Sequence, residues 1–96
     1  MKSSLLMLIA IVALAAGIVA AQERRLELKD GPGRFQVEFN CGSCHSLDYV
    51  LMNSPFLDRN GWDGSVTKMI KVFGAPIDAG DAKLIVDYLS ANYGKP

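Results

Sequence analysis

The 96 residues hold only one histidine and two cysteines. A structural zinc site takes four protein ligands, and no second Cys/His pair is present to complete a tetrahedron. The single imidazole also excludes an iron held between two histidines, and it denies a peroxidase the distal histidine that would act as acid and base. Neither sign of charge is in excess, with ten Lys and Arg against ten Asp and Glu, so composition makes no case for nucleic acid or an anionic membrane. Repeats and low-complexity tracts are missing. The apolar run from Leu5 to Val19 covers fifteen residues, short of the roughly 20 that span a bilayer as a helix, so no stable membrane anchor is expected.

The scarce residues all fall in one pentapeptide, Cys41-Gly42-Ser43-Cys44-His45. Cys-x-x-Cys-His is the attachment signature of haem c: two thiols form thioethers with the porphyrin vinyl groups and the adjacent imidazole binds the iron. Two small intervening residues let one helical turn present both sulfurs to one porphyrin edge. A thioredoxin-like dithiol would need a βαβ unit around the motif, and the remaining sequence does not offer one. A short-loop disulfide is the bland alternative, and with it a stapled binding module, but it leaves the histidine unexplained.

Residues 1–21 have the form of a secretory signal peptide, with Lys2 as the basic start, the apolar run after it and Val19-Ala20-Ala21 as a small-residue cleavage site. Export to the periplasm agrees with haem attachment, which takes place outside the cytoplasm. The mature domain is then residues 22–96, 75 residues, close to the size at which an apolar core alone becomes marginal. Removing Lys2 with the leader leaves nine basic against ten acidic residues. A covalently held haem would supply the missing apolar surface.

Gln22 to Asp30 is charged, with Leu26 and Leu28 alternating, and suits an exposed arm or a short edge strand, either frayed or packed on a partner. Gly31-Pro32-Gly33 breaks it. A first helix begins at Arg34, with Phe35 and Phe39 on one side and the cysteine motif closing its end; Val37 keeps a strand alternative open. Leu47 to Arg59 has the look of a loop. The middle helix runs from Asn60 to Lys71 with Trp62, Val66, Met69, Ile70 and Phe73 on its apolar face, stopped by Gly74 and Pro76. A final helix has Asp78 as N-cap, Asp81 in its first turn, an apolar face of Leu84, Ile85, Tyr88 and Leu89, and Gly94 and Pro96 at its end. The expected fold is all-α, with three main helices around one haem.

Laid out in this order, the chain resembles class I c-type cytochromes: a helix running into Cys-x-x-Cys-His, a loop, a middle helix, and a last helix carrying Tyr88-Leu89 and Tyr93. More narrowly it is similar to the small cytochrome subunit of bacterial sulfite dehydrogenases, through Cys41 to Tyr49, Met52-Asn53-Ser54-Pro55, Trp62, Thr67 to Lys71 and Gly74-Ala75-Pro76-Ile77. It departs from ordinary class I cytochromes in lacking the Met-Pro loop between the last two helices, where Gly74 to Ile77 stand instead. The resemblance implies an electron-carrying subunit with no bond-making chemistry of its own, placed between a molybdenum-cofactor sulfite-oxidising subunit and a soluble cytochrome c acceptor. A free periplasmic shuttle, or the haem subunit of another dehydrogenase such as a quinoprotein, is the alternative. A five-coordinate haem that binds a gas is a further one.

His45 is the proximal axial ligand of this reading. Pro55 matches by position the loop proline whose carbonyl supports that imidazole in class I cytochromes, or is an ordinary turn proline. Propionate carboxylates at a partly buried edge need donors; Arg59 and the Trp62 indole, at the start of the middle helix, are the candidates, with Trp62 as plain core the alternative. For the sixth ligand the mature chain offers only Met52 and Met69. Met69 shares a helical face with Trp62 and Val66 and lies far enough along the chain to reach the distal side, whereas Met52 follows His45 by seven residues. Met69 is expected to ligate, against Met52, an open site, or service as core filler.

Overall fold

In a computed structural model the chain is all-α: α1 (Lys2–Gln22), α2 (Arg34–Gly42), α3 (Asp48–Asn53), α4 (Arg59–Lys71) and α5 (Ala79–Tyr93). The structure describes residues 1–22 and 26–96, with side chains from 1–15 and 26–96; the cleavage-site side chains of Val19 to Ala21 and residues 23–25 of the arm lie outside the described residues. Where described, the side chains of α1 are exposed, and α1 packs against no other helix among these residues. Among them, no helix is long and apolar enough to cross a membrane.

Helix α5 is the hub, packing against α2, α3 and α4. Its cap is the expected one: Asp78 is extended and its carboxylate accepts the Asp81 N–H at 2.8 Å. Ile85, Val86, Tyr88, Leu89 and Tyr93 go into a core completed by Leu28, Val37, Val50, Trp62 and Val66. Leu84 is only half-buried. Helix α4 starts one residue earlier than its periodicity suggests, because the Asp58 carboxylate accepts the Gly61 N–H at 2.9 Å. Trp62 and Val66 are buried and Met69 and Ile70 half-buried, while Phe73 lies beyond the helix end and is exposed.

The inner face of α2 differs from the one suggested by Phe35 and Phe39. Those rings stack on each other, with centroids 5.8 Å apart, but on the solvent side. It is Val37 that is fully buried, one turn after Gly33 and one turn before the half-buried Cys41. Gly33 has φ 95°, and a Cβ there would stand 2.8 Å from both the Leu84 carbonyl oxygen and Tyr88 Cβ. Only glycine combines that backbone conformation with so close an approach to α5.

Two further expectations are corrected. The segment from Leu47 to Arg59 is not simply a loop, since α3 forms within it. Ser46 Oγ accepts the Asp48 N–H at 3.2 Å and Asn53 Nδ2 donates to the Tyr49 carbonyl at 2.8 Å, while Val50 is buried in the core. Among the described residues, four helices thus follow α1, not three. Nor do residues 26–30 form an exposed arm or a strand: they have no regular structure, Leu28 is buried, and Leu26 packs against the core. Two tyrosines of α5 pin this strap, the Tyr88 hydroxyl donating to the Lys29 carbonyl and the Tyr93 hydroxyl accepting the Lys29 N–H at 2.8 Å.

Burial, and then the neighbouring Tyr93, push the Tyr88 phenol up to about 12 from an ordinary value of 10.0. The folded chain therefore keeps a proton that the unfolded chain releases first. Stability from this group is full below pH 10 and is lost as pH rises through about 12. Tyr88→Phe is expected to cost about 1 kcal/mol, and its stability gap to the parent should narrow across that window in denaturant titrations. A gap that stays constant would contradict the assignment.

Candidate functional site

The Gly33-Val37-Cys41 face carries the chain along α5 to the cysteine motif. There the N–H groups of Cys44 and His45 both donate to the Cys41 carbonyl at 3.4 Å, a tight turn that follows the end of α2 at Gly42. Cys41 is half-buried; Cys44 and His45 are exposed, and both thiols are free. Two neighbouring clefts open beside this turn. The larger, about 310 Å³, has an apolar wall of Val50, Trp62, Val66 and Leu89, with Cys41, His45, Tyr49, Ser65 and Met69 completing it. The smaller, about 160 Å³, is lined by Asn40, both cysteines, His45, Met69 and the segment from Phe73 to Ile77. Cys41, His45 and Met69 are common to both.

His45 Nδ1 lies 3.0 Å from the Ser46 carbonyl oxygen. With the Nδ1 proton donated there, the Nε2 lone pair is left for a metal. Burial, reinforced by the neighbouring Cys44, pushes the Cys41 thiol up. Met69 is half-buried on α4, whereas Met52 is 71% exposed on α3 and lines neither cleft. Gly74 to Ile77, the stretch standing where a Met-Pro loop would be, forms part of the wall next to Cys44.

The other candidates are not brought to the site as donors. Pro55 is exposed in the turn after α3, and the imidazole bonds to Ser46 instead. Arg59 pairs with Asp87 of α5, which also accepts from Lys83 at 2.6 Å; Lys83 first and Arg59 second hold the Asp87 carboxyl below its usual range. Arg59 belongs to a separate cleft, shared with Asp63 and Lys83. The Trp62 indole N–H donates to the Tyr93 carbonyl at 3.1 Å, and its ring, 1% exposed, is core. Sequence reasoning passed over one contact, the Tyr49 and Ser65 hydroxyls 3.3 Å apart across the rim of the larger cleft. Their signal was spacing: Tyr49 follows His45 by four residues and Ser65 precedes Met69 by four.

No protein-family model matches the chain, and no curated protein does. Among the described residues, no three His, Cys, Asp or Glu side chains converge on a point that could hold a metal ion. The donor set at the clefts is instead two thiols, one imidazole and one thioether, set against apolar walls. These groups suit a flat apolar macrocycle with an iron at its centre.

Trp62→Phe keeps an aromatic wall but strands the buried Tyr93 carbonyl. A loss of about 1–3 kcal/mol is expected in thermal or denaturant unfolding, and a variant as stable as the parent would contradict the core role.

Proposed function

We infer that the chain is a monohaem c-type cytochrome of the small class I kind, which passes single electrons as the haem subunit of a periplasmic sulfite dehydrogenase. It would receive them from a molybdenum-cofactor subunit and deliver them to a soluble cytochrome c. The observation that carries this reading is the convergence of Cys41, Cys44, His45 and Met69 on two neighbouring apolar clefts. When bound, haem supplies a one-electron iron couple.

The chain's own residues account for the rest. Cys41 and Cys44 hold the porphyrin edge by thioethers, and His45 offers Nε2 while the Ser46 carbonyl orients its ring. Met69 offers a soft sulfur, and His/Met ligation favours a relatively high potential, suited to onward transfer. Val50, Trp62, Val66 and Leu89 exclude water from the larger cleft. Exposed Met52, Pro55 and Phe56 follow the motif and give a protein partner an apolar surface. The exposed side chains of residues 2–15, on a helix that packs against no other helix among the described residues, support a removable leader.

The test of ligation is the weak sulfur-to-ferric-iron band at the red end of the oxidised spectrum. Met69→Ala is expected to abolish it and to lower the reduction potential, while Met52→Ala leaves both unchanged. The opposite pattern would overturn the ligand assignment, and a parent protein without the band would overturn the electron-carrier reading.

A further inference from the structure

We propose that the hydroxyls of Tyr49 and Ser65 are the donors that hold the two propionate carboxylates of the haem, an inference that rests on the haem reading above. Carboxylates at a partly buried edge are costly without hydrogen bonds. Arg59 and the Trp62 N–H are engaged with Asp87 and Tyr93. Apart from the imidazole, the sulfurs and the engaged Trp62 indole, Tyr49 and Ser65 carry the polar side-chain groups of the larger cleft.

Their placement fits the task. Tyr49 belongs to the His45 wall, with ring centroids 5.7 Å apart, and Ser65 lies one turn before Met69 on α4. Each wall thus contributes one hydroxyl. The pair meets at 3.3 Å on the rim, where Tyr49 is 42% exposed. Each hydroxyl carries one rotatable hydrogen, so both can turn from that contact and be given outward, one to each carboxylate. Cys41 lines both clefts, Cys44 only the smaller and the two hydroxyls only the larger, so the hydroxyls share no cleft wall with the second thiol of the motif.

The experiment is resonance Raman on the matured full protein, reading the propionate bending band, which responds to hydrogen bonding. Tyr49→Phe and Ser65→Ala are each expected to shift the band to lower frequency, and the double variant to shift it further, with covalent haem content unchanged. Ser65→Thr, which keeps the hydroxyl, should retain the parent band, as should Arg59→Gln. An unmoved band in the double variant, or a shift in Arg59→Gln alone, overturns the proposal while leaving the haem reading intact. Parent protein without haem overturns both.

Discussion

The close crossing of α2 on α5 at Gly33 is the contact on which the rest of the domain depends. With φ 95° and space for no side chain between the Leu84 carbonyl and Tyr88 Cβ, it brings two backbones into near contact and turns the Val37 side of α2 inward. Two turns on, the same face delivers Cys41 to the cleft wall. From α5, Tyr88 and Tyr93 hold the strap at Lys29, and the Tyr93 carbonyl holds the Trp62 indole of α4. One helix therefore sets the position of the cysteine motif and of the methionine helix together.

Val50, Trp62, Val66 and Leu89 are core residues that also form the apolar wall of the cleft of about 310 Å³, and apolar area covered there is worth roughly 25 cal/mol per Å². In the proposed holoprotein the porphyrin covers that surface, so that cofactor and fold stabilise each other in a domain too small for a large core of its own. Cys41 and Cys44 are free thiols, as thioether formation requires.

How much of this was legible in the sequence follows from how local each signal is. The caps at Asp78 and the stop at Gly74 and Gly94 act within a few residues, and α4 and α5 form close to their expected bounds. Helix α2 was visible but its inner face was not, since the bulk of Phe35 and Phe39 drew attention from the smaller Gly33, Val37 and Cys41, whose burial depends on α5. Helix α3 rests on one buried valine and a serine side chain, too short to show a period. The strap at Lys29 depends on hydroxyls more than fifty residues away. The placement of Met69 on the cleft side of α4 follows from helical spacing, whereas the partners of Arg59 and Trp62 are tertiary and do not.

The central claim is covalent haem on Cys41 and Cys44, and an intact mass taken after denaturation and acid-solvent extraction tests it most directly. Protein produced with an intact export and maturation system should have the mass of residues 22–96 plus one haem, with the haem remaining on the chain after extraction and lost in the Cys41→Ser, Cys44→Ser double variant. A polypeptide mass alone, or a haem that the solvent removes, would contradict the account.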